Sequence, residues 1–299
     1  MEQLERHRAA GATFISLNLG DADVPFVTQI RMAGHFTRWI ADHADRYVLA
    51  ERAGDVRAAK AQGRVAIAFD VEGARAIGND IRLIELLHAV GVRWMALVFN
   101  RRNLVGGGVH DTEDGGLTPF GHRVLAELEH VGITVCCSHT GYRTANDVLD
   151  AATKPVIFSH SNALAVHPHP RNVPDDLIRR CAASGGVVGV NGLSIFLGSR
   201  TAMLDAFVAH AEHVAGLVGP AHVGVGLDYV FDQEDMDRQL AAARGTWPSG
   251  YGYEPGIRYL PPEALPEVTD VLLRRGWSDA DVLGLLGGNF LRVADATWR

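Results

Sequence analysis

Cysteine is scarce in this chain of 299 residues, which contains only Cys136, Cys137 and Cys181. None belongs to a Cys-x-x-Cys pair, which argues against a disulfide framework or a thiolate zinc site and leaves three buried thiols as the expectation. Long uncharged apolar runs are also lacking, so no segment is expected to cross a bilayer and no membrane partner is expected. The opening Met1-Glu2-Gln3-Leu4-Glu5-Arg6-His7 has no apolar stretch of the kind a secretory leader needs, and a cytoplasmic location is the expectation. Positive charge is in deficit: the net charge is −7, and the lysines and arginines are scattered rather than striped, which argues against a nucleic-acid partner. No Pro/Ser-rich linker, charge run or compositional break interrupts the chain, so residues 1–299 are expected to form one domain.

What the chain does have is 47% hydrophobic residues, arranged as short Val/Ile/Ala-rich runs that alternate with longer amphipathic stretches. That is the pattern of βα units with strands buried on both faces, and it predicts an α/β fold. Strands are expected at 12–18, 64–69, 93–98, 132–137, 155–159, 186–190 and 222–227, most of them announced by Gly63, Gly91, Gly132, Pro155 or Gly186. Seven strands fall one short of a closed TIM-type (β/α)8 barrel. Glu2 to Ala10 reads as a helix leading directly into a strand, so the missing first strand is expected before Met1; an open sheet, or a barrel completed differently, are the alternatives. Towards the end, Trp247-Pro248-Ser249-Gly250-Tyr251-Gly252-Tyr253 reads as a long ordered loop, either covering a barrel mouth or packing on the surface. Helices are expected at 262–276 and 278–297.

Polar residues gather where these runs end, the place where barrel enzymes hold their catalytic groups. Asp70 and Glu72 follow Val65–Phe69, Ser138 and His139 follow Ile133–Cys137, Ser159 and His160 follow Val156–Phe158, and Asp228 follows Val223–Leu227. Any one of them alone reads as a helix cap or a hydrogen-bonded turn residue. Together, two imidazoles and two carboxylates suit zinc or a similar divalent ion. Such an ion polarises a carbonyl and lowers the pKa of water, which favours hydrolysis near neutral pH. His167 and His169 lie beyond a strand end in the Pro-rich His167-Pro168-His169-Pro170 and read as loop residues.

Several segments then share an order and spacing. Ser138-His139, Phe158-Ser159-His160-Ser161, His169-Pro170-Arg171-Asn172-Val173-Pro174-Asp175-Asp176, Gly224–Asp228 and Gly287–Arg292 resemble the membrane dipeptidase (renal dipeptidase) family of metallopeptidases, from about residue 10 to the end. Asn100–Leu104 and Asp114–Gly121 are similar to its bacterial branch. The resemblance implies a binuclear zinc site in a (β/α)8 barrel and a dipeptide-like substrate cleaved by metal-activated water. It implies Glu72 as the bridging carboxylate, His139 and His160 as ligands of one metal, and Asp228 as a ligand of the other that also carries the proton to the leaving amine. It further implies that Arg171 grips the substrate's terminal carboxylate, as a guanidinium fork is suited to do. The other reading of Arg171 is an ion pair with Asp175 or Asp176 at a helix start.

The sequence departs from the family at three places. The His-x-Asp pair that ends the family's first strand has no counterpart here, which makes one metal the expectation, with two requiring another ligand. Phe99 stands where many relatives carry a histidine that stabilises the oxyanion, and Asn100 is then the candidate for contacting substrate. Cys136 stands where relatives often carry an acid. Two other readings stay open beside the dipeptidase: a barrel hydrolase of another small amide, ester, lactone or phosphoester, and a non-catalytic relative whose exposed strand edges are covered by pairing as a homodimer.

Overall fold

The computed structural model describes residues 2–21, 23–242, 247–248 and 250–299. Thr246 and Ser249, at the expected aromatic loop, lie outside the described residues. The chain divides into two compact units, one formed by residues 11–157, 184–186 and 291–299 and the other by 1–10, 158–183 and 187–290.

The first unit is built on a parallel sheet of β1 (Phe14–Asn18), β2 (Tyr47–Leu49), β3 (Val65–Glu72), β4 (Val92–Ala96) and β5 (Thr134–Cys136), with β1, β3, β4 and β5 in that order. β3 is buried from Val65 to Val71, as its unbroken apolar run requires of a strand covered on both faces. β1 pairs with Ala66–Asp70 of β3, while β2 pairs with Val65–Ile67 and β4 with Phe69–Glu72. Because β1 occupies one edge along nearly the whole length, β2 and β4 share the other. β2 was not expected from sequence: its three residues follow the helix Phe26–Asp42 with no glycine or proline between them. Between β4 and β5 runs the helix Pro119–Val131, whose ends obey local rules. Thr118 accepts a hydrogen bond from the Gly121 N–H at 2.9 Å, Pro119 occupies the first helical position, and Gly132 closes the helix at φ 97°.

The second unit contains β6 (Val188–Val190) paired in parallel with β7 (Val223–Val225), with Phe158 bridging to Val188. The expected strand 155–159 is thus reduced to single bridges, from Ile157 to Cys136 in the first unit and from Phe158 to Val188 in the second. Met203–Val218 buries Phe207, Val208, His210, Ala211 and Val214, a helical spacing of one face. The expected helix 278–297 is broken into Asp279–Leu283, a wide turn Gly284–Gly288 and Asn289–Thr297, because Gly287 takes φ 146°, outside helical space. The aromatic loop proves to be packed: Trp247 and Tyr253 lie against a buried cluster of Leu193, Phe196, Leu240, Ile257 and Tyr259. All three cysteines are buried.

Candidate metal centre and substrate anchor

Glu72 ends β3, and the two-residue period of a strand places it on the same side as Asp70. The two carboxylates have different surroundings. Asp70 is buried and accepts hydrogen bonds from Ser16 Oγ and from Asn18 Nδ2 (2.9 Å), while Trp94 Nε1 donates to Ser16 Oγ at 2.9 Å. This network ties β1, β3 and β4 together. Glu72 instead faces His139, with Oε2 3.9 Å from Nε2.

His139 follows β5 in the left-handed conformation (φ 68°), a conformation that costs a non-glycine residue about 1 kcal/mol. Its Nδ1 lies 2.8 Å from Oδ1 of Asn100, and the Phe99 ring stacks on its imidazole at 4.4 Å. Since an amide oxygen only accepts, His139 carries its proton on Nδ1, which leaves Nε2 with a lone pair directed to the Glu72 side. Asn100 is itself left-handed (φ 57°) and its carbonyl accepts from the His110 N–H at 2.9 Å. Two consecutive residues after β4 therefore hold one imidazole. The sequence singled out Asn100 as a candidate substrate contact; its contact with His139 was not legible.

His160, two residues after Phe158, is buried, with Nδ1 2.8 Å from Ser159 Oγ. Burial pushes its pKa down to about 4, opposed by the Asp228 carboxylate and reinforced by the Arg171 cation, so it is a neutral imidazole at pH 7. The main chain here is tightly confined: a Cβ on Gly189 would stand 2.1 Å, and one on Gly226 1.9 Å, from the Ser159 carbonyl oxygen. Asp228 follows β7 with φ 54° and accepts from Asn191 Nδ2 at 3.0 Å. Asn191 is fixed in turn by Asn162, whose Oδ1 accepts the Asn191 N–H at 2.9 Å. Asn162 and Asn191 are buried supports that sequence reasoning missed, since isolated asparagines carry no distinguishing pattern.

Arg171 is buried, its guanidinium carbon 5.1 Å from the centre of the Phe196 ring and Nη2 donating to the His160 carbonyl at 3.4 Å. Asp175, the alternative partner, pairs with His213 at 2.8 Å. Among the described residues one group suits a metal ion: Glu72, His139 and His160, whose ligand atoms all lie within 4.8 Å of one another. The donor set fits a divalent ion of borderline softness, because both imidazoles engage a neighbour through Nδ1 and the carboxylate supplies a hard oxygen.

Parallel βα units with a His/His/Glu group at the strand ends, both imidazoles buried, make an α/β arrangement whose donor set could hold a metal ion. The chain belongs to the membrane dipeptidase family (peptidase family M19), whose model matches residues 22–238. It is 31% identical over 259 residues to dipeptidase verJ of Clonostachys rogersoniana, covering 86% of this chain and 62% of the relative. It is 32% identical over 248 residues to an uncharacterized dipeptidase of Schizosaccharomyces pombe, covering 80% and 54%. The chain thus spans about half to three fifths of the length of the curated relatives it matches. Among solved structures, an amidohydrolase from Pseudomonas aeruginosa superposes with TM-score 0.89 at 27% identity, over 99% of this chain and 92% of that one. A metallopeptidase from Rhodobacter sphaeroides, liganded with a phosphinate mimic of the dipeptide L-Ala-D-Ala, gives 0.79 at 25% identity, over 99% and 90%. The fold class expected from the strand pattern, the α/β barrel type of the dipeptidases and amidohydrolases, is the one these structures share with this chain.

Proposed function

We propose that this chain is a zinc-dependent dipeptidase that hydrolyses the peptide bond of small dipeptide-like substrates. The observation that carries the reading is the gathering of Glu72, His139 and His160 in a member of the membrane dipeptidase family. These three residues would hold one zinc ion, and Asp228 would stand as the proton carrier rather than as part of that ligand group. A zinc ion in such a site supplies Lewis acidity toward the peptide carbonyl and makes water acidic enough to react near neutral pH.

The chain's own groups account for the rest. Arg171 anchors the substrate's terminal carboxylate; its bed on the Phe196 ring and its bond to a main-chain carbonyl restrict the guanidinium before substrate arrives. Asp228, held at one oxygen by Asn191, moves a proton to the leaving amine. Asn100 contributes by fixing His139 and, through its amide nitrogen, is the candidate donor to the carbonyl oxygen in the place that Phe99 cannot serve.

The test is to load metal-free protein with zinc, measure bound metal by elemental analysis, and assay a dipeptide panel for released amino acids. About one equivalent of zinc with amino-acid release supports the proposal. Zinc binding without release from any dipeptide would overturn the substrate assignment, and no zinc binding would overturn the metal site.

A further inference from the structure

His169 was read from sequence as a loop residue, yet it is buried and uses both ring nitrogens. Nδ1 accepts the Arg171 N–H at 3.0 Å, and Nε2–H donates to the Tyr251 carbonyl at 3.0 Å. One nitrogen must accept and the other donate, so only the neutral Nε2–H tautomer satisfies both partners. The ring also meets Phe196, Tyr251 and Tyr253 edge-on, with centroids at 4.9, 5.7 and 5.9 Å. Phe196 is the ring on which the Arg171 guanidinium rests. The turn that carries Arg171 is closed by Asn172, whose N–H donates to the His169 carbonyl at 2.9 Å and whose Nδ2 reaches the His167 and Phe196 carbonyls at 2.9 Å each.

We infer that His169 is a positioning residue for carboxylate recognition, one imidazole that locks the Arg171 turn and the Tyr251–Tyr253 segment into a single arrangement. The inference rests on the reading of Arg171 as the carboxylate anchor. Its hydrogen bonds and ring contacts go to the Arg171 turn, Phe196 and the Tyr251–Tyr253 segment, so it acts on binding rather than on bond cleavage. Substrates bearing a free C-terminal carboxylate are the class that benefits.

The experiment compares wild type, His169→Phe, which keeps the ring's bulk but neither hydrogen bond, and His169→Gln, which keeps a donor and an acceptor. Each is assayed in zinc-loaded form with a dipeptide and with the same dipeptide amidated at its C-terminus. Hydrogen exchange of the peptide covering Tyr251–Tyr253 is measured without substrate. His169→Phe is expected to raise KM for the dipeptide about tenfold, with kcat within about threefold, and to leave KM for the amide unchanged. His169→Gln should restore KM to within about threefold of wild type. Exchange at Tyr251–Tyr253 should rise in His169→Phe and not in His169→Gln. Unchanged dipeptide KM in His169→Phe overturns the inference, as does unchanged exchange, which is read whether or not the enzyme turns over. A wild type that binds dipeptide and amide equally refutes the Arg171 reading instead, while the exchange result still decides whether His169 is a clamp.

Discussion

Replacing Asn100 tests how this protein prepares a ligand. The Asn100 Oδ1 to His139 Nδ1 hydrogen bond is 2.8 Å long and both residues are buried, so truncation to alanine removes the acceptor that this ring N–H uses in a buried place. An unsatisfied buried donor costs about 1–3 kcal/mol. Alanine at φ 57° adds about 1 kcal/mol of backbone strain that asparagine tolerates. Loss of the group that orients a ligating histidine typically lowers metal affinity about 10–100-fold, or roughly 1.4–2.8 kcal/mol. Asn100→Ala should therefore weaken zinc binding by that factor, while Asn100→Asp, which keeps an acceptor and tolerates positive φ, should stay within a few-fold of wild type or bind more tightly. The assay is competition between the metal-free protein and a chelator of known affinity, with a thermal melt to show that each variant is folded. A folded Asn100→Ala with wild-type zinc affinity would refute the claim that Asn100 orients His139.

Acid should destabilise the metal-free protein. His160, His169 and His210 have pKa values lowered to about 4 by burial, against 6.5 in an unfolded chain, so below pH 6.5 the unfolded state takes up protons that the folded state refuses. Stability is then constant above about pH 6.5 and falls as pH drops from there towards 4, by at most about 3 kcal/mol per group. In urea unfolding at pH 7 and pH 5, His210→Gln should show a shallower pH slope than wild type; equal slopes would remove His210 from the account. Gly226→Ala should lose roughly 3 kcal/mol or more and most of its zinc affinity, since its Cβ would stand 1.9 Å from the Ser159 carbonyl oxygen, and a wild-type melting temperature would contradict that crowding. Arg171→Lys should raise the dipeptide KM at least about tenfold because a point charge cannot reproduce the fork, and a KM within twofold of wild type would show that another group binds the carboxylate.

The strand pattern was legible because parallel strands buried on both faces read as unbroken apolar runs: Val65–Glu72 overlaps the expected 64–69 and Val92–Ala96 the expected 93–98, with ends displaced by one to three residues. Tyr47–Leu49 was hidden because three residues carry no period, and the break at Gly287 because a glycine pair within a helical pattern does not declare its φ. At the site, residue types at strand ends pointed to Glu72, His139, His160 and Asp228. What sequence could not convey was who holds them. Asn100 and Phe99 support His139 from 39 and 40 residues away, and Asn191 reaches Asp228 across 37. Such partners are fixed by register between strands, not by local spacing. His169 is the loop residue that the sequence indicated, but its burial was not legible for a related reason: its partner Tyr251 lies 82 residues further along the chain.

The crowding of the Ser159 carbonyl between Gly189 and Gly226 bears on more than stability. The main chain around residue 160 is located chiefly by backbone contacts, the glycines against the Ser159 carbonyl and the Ser161 N–H on the Gly189 carbonyl at 2.6 Å, with Arg171 Nη2 on the His160 carbonyl as the side-chain contribution. Position 160 is in that sense a socket. A cysteine or an aspartate introduced there would project from the same point and offer the proposed metal group a softer or a harder donor in place of imidazole. The metal preference of the proposed site is therefore open to redesign one residue at a time, with the scaffold left as it stands.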